Sequence, residues 1–381
     1  MPTNKPFAAY RQRHRGRWVL ATLVFVVVAL IALRFLWLPA YVVRTLNRHL
    51  AEMGPYRGQL ADVDLHLWRG AYNIHELNIV KRDGEVPVPL LHAPLIDLSI
   101  SWNALLHGRL VGEVMFHRPQ LNFVDGRGEG ADGGGDGQVG KGVDWRQQLE
   151  ALFPLQLNQV CVDDGTLAFR NFQATPPLNV QATEVEACAR NLSNVVDAQG
   201  KRDATLNAHA RVLGQAPLEL KAQADPLGKL DDFTLDLRVR DIELKRLNGL
   251  TRHYGKIDVA GGRGDFVMEL EAREGALRGY AKPIMNDLDI FDWKQDVEQD
   301  HDNPLRVLWE GFVGGLTAIF KNHPKDRFAT RIAIEGRIDR PDISRWEAIS
   351  NILHNAFVHA YEARFETFGN EDAAGKRDDK D

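Results

Sequence analysis

The sequence predicts a mainly β protein in which one N-terminal membrane-spanning helix precedes a large antiparallel β-sheet with a few flanking helices. Three observations predict it. A single apolar run long enough to cross a bilayer opens the chain at residues 18–38. Behind it, one segment after another alternates apolar and polar side chains with a period of two. Segments with a period of 3.6 are few and fall between the alternating groups.

The apolar run has 21 residues, and its one charge, Arg34, lies four residues from the end. At a helical rise of ~1.5 Å per residue such a run spans ~31 Å, the thickness of a hydrocarbon core. Arg34 is close enough to the end for its stem to reach the headgroups, and Trp18 and Trp37 bracket the segment as interfacial aromatics. A cleaved signal peptide has a shorter apolar region and a small-x-small site, which Leu38-Pro39-Ala40 does not provide. Residues 1–17 carry Lys5, Arg11, Arg13, Arg15 and Arg17 and no acidic residue, so this end is expected in the cytoplasm. The bulk of the chain then lies across the membrane. The expected location is a bacterial inner membrane, crossed once, with the bulk in the periplasm.

Residues 41–53 read as an amphipathic continuation through Val42, Leu46 and Leu50, ending at Gly54-Pro55. The period then becomes two. Val63, Leu65 and Leu67 alternate with polar neighbours, as do Ile96, Leu98, Ile100 and Trp102. The pattern returns at Ala204–Val212, Leu218–Ala224 and Phe233–Val239, then through Phe266, Met268 and Leu270, and finally at Ile332, Ile334 and Ile338. One apolar and one wet face means antiparallel strands in a meander, with turns at Asp163-Asp164-Gly165 and Glu274-Gly275. Helices are expected at 101–107, 144–153, 242–251 and 303–320. The strongest is 344–365, where Ser344 caps with Glu347 and Trp346, Ile349, Leu353, Phe357, Ala360 and Tyr361 form one stripe.

Residues 126–142 hold nine glycines in 17 positions and are expected to be a flexible loop. It separates an N-terminal part, 41–125, from a longer β-rich part with a C-terminal helix, 143–366; a charged, disordered tail, 367–381, follows. Overall the chain has 381 residues, 44% hydrophobic and 26% charged, which fits a folded protein and excludes disordered and collagen-like classes. A net charge of −5 and the lack of a basic aromatic stripe argue against nucleic acid as a partner.

No spacing points to catalysis, a metal or a cofactor. His75-Glu76 begins like a zinc-protease helix, but Ile79 stands where the second histidine belongs and the context is a strand. Asp287, Asp289 and Asp292 are the densest carboxylate group; alternation sets Asp287 and Asp289 on one solvated strand face, without the spacing of a calcium loop. Ser193 and Ser350 lack a nucleophile elbow. No catalytic, metal or cofactor residue is assigned, and no enzyme activity is expected. The two cysteines, Cys161 and Cys188, face an oxidising compartment and flank a strand–turn–strand, which leaves a disulfide between them open.

Several stretches are familiar in their order. They are the anchor, Val63-Asp64-Leu65, Trp68-Arg69-Gly70, Ile74-His75-Glu76-Leu77-Asn78-Ile79, and Ser101-Trp102-Asn103-Ala104-Leu105-Leu106-His107-Gly108. This order resembles the start of the AsmA-like superfamily of envelope proteins. Asp164-Gly165-Thr166-Leu167-Ala168-Phe169, Asn191-Leu192-Ser193-Asn194, Gly275-Ala276-Leu277-Arg278-Gly279-Tyr280 and Trp346-Glu347-Ala348-Ile349 resemble its DUF748 branch. The resemblance implies an inner-membrane anchor and an elongated, curved, taco-like sheet with an apolar concave face. For larger relatives it implies moving phospholipid between the envelope membranes or maintaining the outer one. The sheet expected here is too short to cross a periplasm unaided.

An open apolar face needs helices, a partner or lipid to cover it. Lipid handling is therefore the first functional expectation, with Leu206, Leu220, Leu235, Leu237 and Leu270 lining a track for phospholipid acyl chains. The alternative is a structural or scaffolding envelope protein with a closed core, which binds other envelope proteins and carries no lipid. The topology has its own test: a reporter active only in the periplasm, fused after Asp381, is expected to be active. Activity of a cytoplasmic reporter there instead would overturn both the orientation and the compartment.

Overall fold

The computed structural model describes residues 21–26, 37–66, 70–83, 86–100, 111–125, 137–138, 156–192, 204–224, 231–254, 257–293, 327–329, 331–339, 348–349 and 351–356. Outside them lie the basic N-terminus 1–17, most of the expected span with Trp18 and Arg34, the expected helices at 101–107, 144–153 and 303–320, and the tail 367–381. Residues 21–26 are helical, and among the described residues no helix is long and apolar enough to cross a membrane.

The expected amphipathic continuation is helix α1 (Leu38–Ala51), with Pro39 in its first turn, where no backbone N–H is needed. Leu46 and Leu50, one turn apart, are buried, and Val42 and Val43 pack beside them. Two bonds from one side chain fix the helix to the chain that follows: Asn47 Nδ2 donates to the Leu60 carbonyl at 3.1 Å, and the Leu60 N–H donates to Asn47 Oδ1 at 2.8 Å. Gly58 lets the helix sit close, since a Cβ there would lie 2.8 Å from a Leu50 methyl.

The described strands form one sheet of fifteen. They are β1 (Tyr56–Gln59), β2 (Asp62–His66), β3 (Ala71–Lys81), β4 (Leu91–Ile100), β5 (Val111–His117), β6 (Gln120–Val124), β7 (Gln156–Asn171) and β8 (Leu178–Arg190). β9 (Ala204–Val212), β10 (Ala216–Ala224), β11 (Phe233–Glu243), β12 (Ile257–Arg273), β13 (Ala276–Trp293), β14 (Arg327–Ala329) and β15 (Ile332–Arg337) complete it. Each strand from β7 to β13 pairs antiparallel with the next, as alternation predicts. The expected all-antiparallel meander fails at one place. β5 and β6 both run parallel to β7, so the N-terminal strands join the rest through a parallel seam. Alternation reports one buried face, and a parallel pair with that face shared leaves the same trace.

Glu274-Gly275 is a two-residue hairpin turn between Arg273 and Ala276, both turn residues at positive φ, the conformation that matches sheet twist. Asp163-Asp164-Gly165 is not a turn. β7 continues through it as a bulge, with Asp164 at φ 52° and the β8 register slipping between Val162 and Gly165. Ile242 belongs to β11, so the helix expected at 242–251 starts later, as a 3₁₀ turn (Leu244–Leu247) leading into α2 (Asn248–Tyr254). Its apolar face is as expected: Leu244, Leu247 and Leu250 are buried. Of the expected flexible loop, Gly137 and Gln138 are docked. Gln138 exchanges two 2.8 Å backbone bonds with Val124, and the buried Lys81 ammonium donates to the Gly137 carbonyl at 2.6 Å.

The register carries two unbroken apolar rows across the sheet. One runs Val63, Ile74, Ile96, Phe116, Val162, Ala187, Ala208, Leu220, Leu237, Met268, Ala281, Ile332. Its neighbour includes Val114, Val160, Ala189, Leu206, Ala222, Leu235, Leu270, Gly279 and Ile334. Three clusters cover parts of this face. α1 seals β1–β5; the 3₁₀ turn and α2 pack on Leu178, Val259 and Met285; helical residues Ala348 and Leu353 pack on Leu270, Leu277 and Ile334.

Gly279 shows how closely β12 and β13 are fitted. A Cβ there would lie 2.1 Å from the Glu269 carbonyl oxygen and 2.9 Å from Leu270 Cα. Gly279→Ala is therefore expected to cost at least about 2 kcal/mol in chemical denaturation, since backbone must move. Wild-type stability in this variant would refute the β12–β13 register.

Candidate functional site

Polar chemistry and apolar surface separate onto the two faces of this sheet, and the sequence candidates fall on both. On the apolar face the register brings together all five expected track residues. Leu206, Leu235 and Leu270 stand in one row, and Leu220 and Leu237 are direct partners in the next. Their surroundings differ. Leu270 is buried in the cluster that includes the helical residues Ala348 and Leu353, and the partly buried Leu235 packs against that cluster. Leu206, Leu220 and Leu237 stay half-exposed, as do Leu218 and Ala222 beside them. Leu167 of β7 is 40% exposed. Among the described residues, the less covered part of the apolar face thus lies over β7–β11.

At the start of α1, Trp37 is exposed and stacks on Tyr41 with ring centroids 5.3 Å apart. Leu23, Val24, Phe25 and Val26 are also exposed, at 48–72%. Trp18 and Arg34 lie outside the described residues.

On the polar face, Cys161 and Cys188 are direct cross-strand partners of β7 and β8 and form a disulfide. Asp287 occupies a positive-φ position where β13 slips against β12, which interrupts the alternation expected to set it beside Asp289. Among the described residues no three His, Cys, Asp or Glu side chains converge as metal ligands. His75 is a surface residue paired with Asp64 at 3.0 Å.

One polar group escaped the sequence reading. The His117 ring lies between two carboxylates, with Nε2 3.0 Å from Asp97 Oδ2 and Nδ1 3.0 Å from Asp163 Oδ2. A neutral imidazole has one N–H, so satisfying both contacts calls for the imidazolium. The hydrogen bond to Asp163 is the largest cause that holds its pKa above the ordinary histidine value, and Asp97 adds to it. No sequence signal could assemble this trio, because Asp163 reaches His117 only through the parallel pairing of β5 with β7. Burial alone raises the Tyr72 phenol pKa, on the apolar face near α1.

No protein-family model matches the chain, and no curated protein is significantly similar to it.

The two classes of apolar residue separate by experiment. Leu270→Asp is expected to destabilise by about 3 kcal/mol or more, because a charge is stranded in a covered core. Leu220→Asp in delipidated protein is expected to cost less than about 1.5 kcal/mol, measured in the same urea titration. Equal losses would mean that the face over β10 is as closed as that over β12.

Proposed function

We propose that this chain is an envelope protein of the AsmA-like type, anchored in a bacterial inner membrane by residues 18–38, with a periplasmic sheet that holds lipid acyl chains on its apolar face. The observation that carries the reading is the continuous apolar row from Val63 to Ile332, left half-exposed at Leu220 and Leu237, with Leu206 half-exposed in the neighbouring row. Eleven strand-to-strand steps at ~4.8 Å give a path of ~53 Å across the sheet. Soluble monomers seldom leave such a face uncovered.

Curvature supports the groove. α2 and the 3₁₀ turn pack on Leu178 of β8 and also on Val259 and Met285 of β12 and β13. In a flat sheet β8 and β12 stand four steps, or ~19 Å, apart, more than the ~10–12 Å width of a helix. One short helix meets both where the sheet curls around it. Small side chains at Ala187, Ala189, Ala208 and Ala222 leave depth between the leucines along the uncovered strands.

Energetics favour the same reading. Each methylene removed from water is worth ~0.8 kcal/mol, so a ~16-carbon chain gains on the order of 10 kcal/mol before ordering costs. The headgroup stays in water, which needs no polar pocket. The exposed Trp37–Tyr41 stack suits a bilayer interface at the start of α1, and the Cys161–Cys188 disulfide suits an oxidising compartment.

The test is extraction of lipid from detergent-purified full-length protein, with identification by mass spectrometry. Phospholipid is expected to co-purify, and Leu220→Gln with Leu237→Gln is expected to remove most of it without changing the circular dichroism spectrum. Absence of lipid, together with a photocrosslinker at Leu220 that labels only the protein's own helices, would replace this reading with the closed-core scaffold.

A further inference from the structure

The parallel seam between β5–β6 and β7 is irregular at its middle. Arg118 and Asp164, on opposite sides, both have positive φ, at 49° and 52°. The regular β5 ladder ends at His117–Asp163, and the β6 ladder resumes at Gln120–Thr166. Between them the backbone is joined by Arg118 N–H to the Asp163 carbonyl and Thr166 N–H to the Pro119 carbonyl, each at 2.8 Å. His117 stands at this gap and holds carboxylates from both sides of it, Asp97 of β4 and Asp163 of β7. One side of the seam cannot yield by itself, because the Cys161–Cys188 bond ties β7 to β8 two residues before Asp163.

We propose that His117 is a pH-sensitive latch across this seam, closed when the imidazolium bridges Asp97 and Asp163 and loosened when the ring loses a proton. A neutral ring keeps one donor, so one of its two carboxylates is left facing a nitrogen lone pair. The charged groups that face the ring are Asp97 from β4 and Asp163 from β7. On its own strand Glu113 shares the polar face. Beyond Leu95, on the same cross-strand row, His75 of β3 is paired with Asp64 of β2. The folded-state pKa is raised, so the latch is complete below the unfolded histidine value and is lost as pH rises through the folded value. The inference is independent of lipid binding: it requires only the seam and its three side chains.

Hydrogen exchange of the full-length protein in detergent, at pH 5.5 and pH 8.5 and corrected for intrinsic rates, tests it. Amides of 112–117 and 157–163 are expected to lose about tenfold in protection at the higher pH, the scale of one charge-assisted hydrogen bond. Amides of β12 and β13 are expected to stay unchanged. In His117→Gln the seam is expected to be equally weak at both pH values. A fall that persists in this variant, a fall spread over the whole sheet, or no fall in the wild type would each overturn the latch. Should the variant not fold, the ring ¹⁵N shifts of wild-type His117 decide: seam protection must fall with the same midpoint as the ring titrates, and differing midpoints overturn it.

Discussion

A sheet whose strands all alternate apolar and polar side chains has one face that water must not keep, and where that face is covered organises everything else in this molecule. The two apolar rows cross from β2 or β3 to β15 without a polar residue apart from the phenol of Tyr72. A single amphipathic helix seals about a hundred degrees of its own surface, and the described helices are short. α1 spans only Leu38–Ala51 and α2 only Asn248–Tyr254, so each covers a few strands. The covers therefore sit at the N-terminal strands, at the β7–β8 hairpin and at the C-terminal strands. The middle strands gain stability from neighbours on both sides and can leave Leu206, Leu220 and Leu237 half-exposed.

The polar face has the opposite economy. Its charges meet cross-strand partners, as in Arg211 with Glu184 at 2.8 Å and Arg263 with Asp241. Such exposed pairs contribute little to stability individually. Their effect is on register, because a one-residue slip would turn every leucine outward and every arginine inward. His117 is the exception in kind: it joins strands from both sides of the parallel seam, where backbone bonding is sparse.

Sequence periodicity revealed the part of the fold that depends on local physics. The strands at Ala204–Val212, Ala216–Ala224 and Phe233–Glu243, the hairpin at Glu274-Gly275 and the buried stripe of α1 all follow from side-chain spacing alone. What periodicity does not carry is pairing between distant segments. The direction of β5 against β7 depends on how the chain between them returns, so the seam and the His117 trio were invisible. The Asp163-Asp164-Gly165 bulge has turn chemistry, yet a strand with partners on both edges absorbs the extra residue rather than reversing. Leu235 and Leu270 lie on the apolar face as their spacing predicts, but which stretch of that face a helix some 80 to 120 residues later packs on is a tertiary fact.

The division of that face also constrains how a ligand could use it. α1 occupies the end nearest the apolar N-terminal run, with Leu46 and Leu50 buried over the first strands. The C-terminal helix occupies the other, over Leu270 and Ile334. An acyl chain lying on the face would therefore enter from the side of β7–β11, past Leu167, rather than from either end of the row. The seam with β7 forms one border of that stretch. Movement at the seam would then alter the width of the uncovered region while leaving both end clusters intact, because each is packed on its own side of it apart from Val160. Cover at the ends and compliance at the border are what a sheet needs if its middle is to stay accessible without unfolding.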